Sequence, residues 1–181
     1  MILETARLKL RPFQISDLDP FVAYRSDPEV ARYQGWDAPY PVEKAAAFIE
    51  EMAQATPDTN GHWYQFAVEL KQNGGMIGDC AFHTLPEDNR QAEIGFSFAR
   101  SYQGFGYATE SVKRLLDYLF ADLGLHRVQA ICDVENTASA RLLERVGMRR
   151  EAHFVDNTWF KGAWGSEYLY ALLQYEWLTF K

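Results

Sequence analysis

Between Ala92 and Phe98 the chain alternates strictly, with Ala92, Ile94, Phe96 and Phe98 apolar and Glu93, Gly95 and Ser97 between them. A period of two predicts a strand with one face in a core. A glycine-rich turn, Gln103-Gly104-Phe105-Gly106, follows, and from Tyr107 the period changes. Ala108, Val112, Leu115, Leu116, Leu119 and Phe120 recur at helical spacing, predicting a helix over Tyr107–Leu123 that Gly124 stops.

The same reading orders the rest of the chain. Arg7–Phe13 alternates as an opening strand, closed by Pro12. A helix starts at Ser16 and runs to about Ser26, where Asp27-Pro28 stops it, and a second spans Val42–Ala55. His62–Leu70 and Met76–His83 predict a hairpin around Gln72-Asn73-Gly74-Gly75. The meander continues through a Pro86–Asn89 loop into the Ala92–Phe98 strand. A strand over His126–Val134, a helix over Thr137–Val146 capped by Gly147, and a pair at Met148–Val155 and Gly165–Leu173 complete it. This order predicts an α/β fold: a mixed, mostly antiparallel central sheet with helices on both faces. The crossover from Ala92–Phe98 to His126–Val134 is parallel, which sets the glycine loop at the carboxyl end of a strand, where ligands sit in open sheets.

A chain of 181 residues, 48% hydrophobic, fits a single domain over 1–181. Its net charge of −7 argues against a nucleic-acid partner, which needs a clustered basic surface. No run approaches a membrane span, and the charged opening MILETARLKLRPF lacks a signal-peptide core. Cys80 and Cys132 lie in strand-like runs and read as buried thiols of a reducing cytoplasm. His62, His83, His126 and His153 show no ligand spacing, so no metal site is expected.

The chemistry gathers around the glycine loop. A helix that opens on Gly104 and Gly106 presents unpaired N–H groups and the positive end of its dipole, a cradle for phosphate oxygens. Glu110, in the first turn of that helix, complements the dipole. Asn136 and Ser139 offer the side-chain oxygens that cap a helix. The aromatic loop around Tyr33 and Trp36 either lines an acceptor pocket or staples the N-terminal helices.

At these residues the chain resembles the GNAT superfamily of N-acetyltransferases, whose pyrophosphate loop, Gln/Arg-x-x-Gly-x-Gly/Ala, stands here as Gln103-Gly104-Phe105-Gly106-Tyr107-Ala108. It is similar to the ribosomal-protein N-terminal acetyltransferase type in TARLKLRPF, AEIGF, GYATES, Asn136-Thr137-Ala138-Ser139, LLERVGM and WGSEYLYALLQYEW. The resemblance implies acetyl-CoA as donor, a primary amine as acceptor and direct transfer in a ternary complex. It places the pyrophosphate on the backbone of Gln103, Gly104, Phe105, Gly106, Tyr107 and Ala108. The pantetheine arm would lie along Phe96, Ser97 and Phe98, where two parallel strands splay, with Asn136 bonding the arm and Ser139 near the sulfur.

An ammonium has no lone pair, so a base must take a proton; Glu93, beside the bare Gly95, is the candidate. Many superfamily members carry a tyrosine four residues beyond Ser139. Leu143 stands there instead, which leaves Ser139 or a water as the acid. The same substitution motivates an alternative reading, a CoA-binding sensor with weak or no catalysis. Exposed edges in the final strand pair would support a homodimer.

Overall fold

The computed structural model describes residues 1–57 and 61–179. Among them, eight strands form one sheet: β1 (Leu3–Glu4), β2 (Leu8–Arg11), β3 (Tyr64–Leu70), β4 (Met76–Leu85), β5 (Asp88–Phe98), β6 (Arg127–Asp133), β7 (Arg149–Phe160) and β8 (Ala163–Leu173). The spatial order is β1-β2-β3-β4-β5-β6-β8-β7. β5 and β6 run parallel, and every other neighbouring pair is antiparallel.

Helices α1 (Leu18–Arg25), α2 (Pro28–Ala31) and α3 (Val42–Gln54) precede the main meander; α4 (Tyr107–Asp117), α5 (Thr137–Arg145) and α6 (Gln174–Thr179) follow it. The sheet separates two apolar cores. On one face Leu8, Leu10, Phe66, Phe82 and Ile94 meet the α4 stripe of Val112, Leu115 and Leu116, all buried. On the other, Ala67 and Met76 meet Phe21 and Tyr24 of α1 and Ile49 and Met52 of α3. The period-two strands supply both layers, because each sends alternate side chains to opposite faces.

Several predicted boundaries shift. The helix predicted over Tyr107–Leu123 is α-helical only to Asp117 and closes in a π turn at Tyr118–Asp122. The Pro86–Asn89 loop shrinks, since β5 begins at Asp88. The final pair is longer than the sequence suggests. β7 and β8 zip through Trp159↔Trp164 and Phe160↔Ala163 to a turn at Lys161-Gly162, both at positive φ, the geometry that right-twisted hairpins favour. No described helix is long and apolar enough to cross a membrane.

Candidate active site

β5 and β6 pair only through Gln91↔Arg127, Ala92↔Val128 and Glu93↔Gln129. Beyond Glu93, β5 stays with β4 as far as Gly78↔Phe98, and β6 stays with β8 as far as Asp133↔Glu167. The two strands therefore part in a V. The Ala99 N–H donates to Ile77 O at 3.0 Å, so alternation along the strand turns the amides of Phe96 and Phe98 away from β4 and into the V. Gln103 Nε2 donates to Phe98 O at 2.9 Å and braces this edge from below.

At the wide end of the V the chain enters the glycine loop. Gly104 and Gly106 lie at φ +84° and +82°, a region that side-chain-bearing residues avoid. Gly106 is the N-cap of α4 and offers no side chain to it, so the first-turn N–H groups of Tyr107, Ala108 and Thr109 have no intrahelical acceptor. The Gln103 N–H is different: it donates to Arg100 O at 3.1 Å. Of the amides over Gln103–Ala108, that of Gln103 is thus committed within the loop, and its side chain is committed to β5.

V and loop open into one cleft of about 1090 Å³, lined by Phe96, Ser97, Phe98, Gln103, Gly104, Gly106, Tyr107, Ala108, Asn136, Ser139 and Tyr33 among others. The predicted site residues from three separate elements are thereby brought together. Phe105 is not in the lining; its ring stands outside, 61% exposed and stacked on Tyr107. Asn136 Oδ1 accepts the Ser139 N–H at 3.2 Å, so Asn136 caps α5 through its oxygen and its Nδ2 takes no part in the cap. Leu143, where the resemblance leads one to expect a tyrosine, is 1% exposed and belongs to the core.

The three arginines of the cleft went unread in the sequence: Arg100, Arg141 and Arg145. Arg145 Nη1 donates to Thr109 Oγ1 at 3.1 Å, beside the first turn of α4. The signal was present, because Arg141 and Arg145 are four apart and share a face of α5. They supply local positive charge to an otherwise acidic chain.

Glu93 does not line the cleft. It stands on the same face of β5 as Ser97, with Gly95 between, and accepts a hydrogen bond from Gln129 Nε2 at 3.1 Å. Trp63, 44% exposed, covers Gly95, whose missing Cβ would lie 3.8 Å from its ring. His83 pairs with Glu93 across the strands and packs on Trp63 with ring centroids 4.3 Å apart. Its Nδ1 lies 3.0 Å from Thr84 O, which can only accept, so Nδ1 is the donor of that contact.

Trp36 acts as a staple: its indole N–H donates to Arg25 O at 3.0 Å and its ring faces the Arg25 guanidinium, whereas Tyr33 and Gln34 of the same loop line the cleft. Behind the loop, Tyr24 O–H donates to buried Asp79, which also faces Arg25 at 3.8 Å. Burial pushes the Asp79 carboxyl up, against the pull of Arg25 and Tyr24. Lys161, at the β7–β8 turn, donates to Ala31 O and Trp36 O, each at 2.7 Å, and ties the hairpin to the loop.

The family model described as Acetyltransferase (GNAT) domain matches residues 7–149. The uncharacterized N-acetyltransferase p20 of Bacillus licheniformis is 33% identical over 174 residues, 96% of this chain and 97% of that protein. A GNAT-family acetyltransferase from Bacillus anthracis superposes with a TM-score of 0.87 at 32% identity, covering 97% of this chain and 100% of that one. The spermidine N-acetyltransferase of Vibrio cholerae, solved with CoA and spermine, shares the fold at a TM-score of 0.80 and 24% identity, over 96% and 99% of the two chains. With a family model over most of its length and relatives of this identity and coverage, this chain belongs to the GNAT acetyltransferase family and is an acetyltransferase.

Proposed function

We propose that this acetyltransferase moves the acetyl group of acetyl-CoA to a primary amine, a protein N-terminus or a small-molecule amine, by direct attack within a ternary complex. The convergence of the V and the loop on one cleft carries the reading. CoA has an anionic diphosphate at one end and an amide-rich arm at the other. The cleft offers helix N–H groups and arginines at one end and the free edge of β5 at the other.

In the proposed reaction the neutral amine nitrogen attacks the thioester carbon, the C–N bond forms and the C–S bond breaks. The Phe98 N–H polarises the carbonyl oxygen. Glu93 takes the amine proton by way of water, since it stands outside the cleft and Trp63 covers the neighbouring Gly95. Ser139, which lines the cleft, gives a proton to the departing thiolate.

Release of free thiol from acetyl-CoA with a panel of N-terminal peptides and amines tests the reading. Acceptor-dependent thiol supports it. Thermal stabilisation by CoA without thiol from any acceptor would instead favour a sensor, and no binding at millimolar CoA would remove the cleft assignment altogether.

A further inference from the structure

The opening motif TARLKLRPF takes no part in the cleft, yet two of its side chains reach the loop that forms it. Arg7 Nε and Nη2 both lie 2.7 Å from Glu110 Oε2, and the Arg7 N–H donates to Glu110 Oε1 at 3.0 Å. Thr5 Oγ1 donates to the same Oε1 at 2.5 Å. Arg7 Nη1 donates to Phe105 O at 3.1 Å, and the guanidinium carbon sits 4.5 Å from the Tyr107 ring centroid. A Cβ at Gly106 would come within 3.5 Å of Nη2.

The arm that carries these groups is itself fixed. Leu8 N–H donates to Thr5 Oγ1 at 2.9 Å, Lys71 Nζ to Thr5 O at 2.7 Å, and Lys71 N–H to Arg7 O at 2.9 Å. Resting on the proposed CoA reading of the cleft, we propose that Arg7 is a positioning residue for donor binding. Through Glu110 and the Phe105 carbonyl it holds the Gly104–Ala108 amides aimed into the cleft before the diphosphate arrives.

Two physical arguments support this. A loop with two positive-φ glycines and no side-chain cap has many conformations, and ordering it only on binding would subtract from affinity. Glu110 also places a carboxylate in the first turn of α4, where alone it would repel a diphosphate. Burial pushes that carboxyl up, but Thr5 and the Arg7 amide and guanidinium outweigh burial and hold it below its usual range. It is therefore ionised at neutral pH, and the paired Arg7 cancels its field.

Arg7→Gln and Glu110→Ala, singly and together, test the clamp by CoA titration and by kinetics with two donors, acetyl-CoA and S-acetylpantetheine, which lacks the diphosphate. Each single variant is expected to weaken CoA about tenfold and raise the KM for acetyl-CoA while kcat holds, the scale of one lost charge-assisted contact. The double variant is expected to be no worse than either, as for residues acting as one unit. Turnover of S-acetylpantetheine should stay at the wild-type level.

Equal losses with both donors would reduce Arg7 to a general fold contact and overturn the proposal, as would unchanged CoA affinity in Arg7→Gln. Tighter CoA binding by Glu110→Ala would also overturn it, making Arg7 a direct phosphate ligand restrained by the carboxylate. If the unaltered protein takes up no CoA, the cleft reading fails first and the clamp with it.

Discussion

Glu93 accepts a hydrogen bond from the neutral amide of Gln129. Because it lies outside the donor cleft, Glu93→Gln should lower kcat by about 10²-fold, the range for a lost general base, with CoA affinity unchanged. Stopped-time thiol assays beside CoA titration check this; undiminished kcat would remove Glu93 as the base. Cys132 gives a pH prediction. Burial, reinforced by Asp133, Glu144 and Glu167, pushes its thiol to about 11 from 9.0. Between those values the unfolded chain has lost the proton that the folded chain keeps, so stability must fall as pH rises through the window. Tyr170, pushed to about 12 by burial and Glu144, acts in the same direction at higher pH. Urea midpoints at pH 9 and pH 11 should show the fall, and Cys132→Ala should reduce it. The helix start at Asn136, which brings Asn136 and Ser139 to the cleft, was legible in the sequence from its local pattern. Trp36 was not, because an aromatic in a loop reads alike whether it faces a ligand or stacks on a buried arginine.

Among the elements, α4 and α5 begin or end on glycines of the same left-handed conformation that serve different ends. Gly106 opens α4 at the cleft, whereas Gly147, φ +95°, closes α5 with Met148 N–H bonded to Leu143 O at 3.0 Å. Nothing lies within 4 Å of a Cβ at Gly147. Gly147→Ala should therefore cost only the backbone penalty, about 1 kcal/mol, lowering Tm by about 2–4 °C with CoA binding intact. Gly106→Ala carries the same penalty and should weaken CoA as well, since the cradle must shift. Calorimetric Tm values and CoA titrations on both variants separate the two; equal CoA affinity would show that loop shape does not matter to the donor. The sequence located the long periodic elements to within a few residues because their core faces repeat. It missed α2, whose four residues are too few to show a period. It missed α6 because Tyr175 and Trp177 continue the alternation of β8. The outer end of β7 beyond Val155 escaped too, with Ala163 and Trp164 of β8, since β7 is largely exposed and no buried face marks it as strand.

For the whole molecule, the consequence of the V is mechanical. Three residue pairs hold β5 to β6, while β4–β5 and β6–β8 are paired over longer registers, so the sheet has a weak seam beside its ligand site. The parallel crossover was legible from element order, but the point of parting was not, because β6 alternates as regularly beyond Gln129 as before it. An arm bonded along Phe96 and Phe98 would bridge this seam and tie the β1–β5 half to the β6–β8 half. Saturating CoA, at about 100 times its Kd, should stabilise the fold by about 2.7 kcal/mol and raise Tm by about 5–10 °C. The distribution of that stabilisation is the sharper test. Hydrogen exchange should slow at the Phe98 amide and at Tyr107, Ala108 and Thr109, and along β6 facing the V. The β3–β4 hairpin around Gly74, remote from the seam, should exchange as before unless global unfolding sets its rate. Protection confined to the α4 amides, with β5 and β6 unchanged, would mean that the donor is held by its phosphates alone and that the V is not where the arm lies.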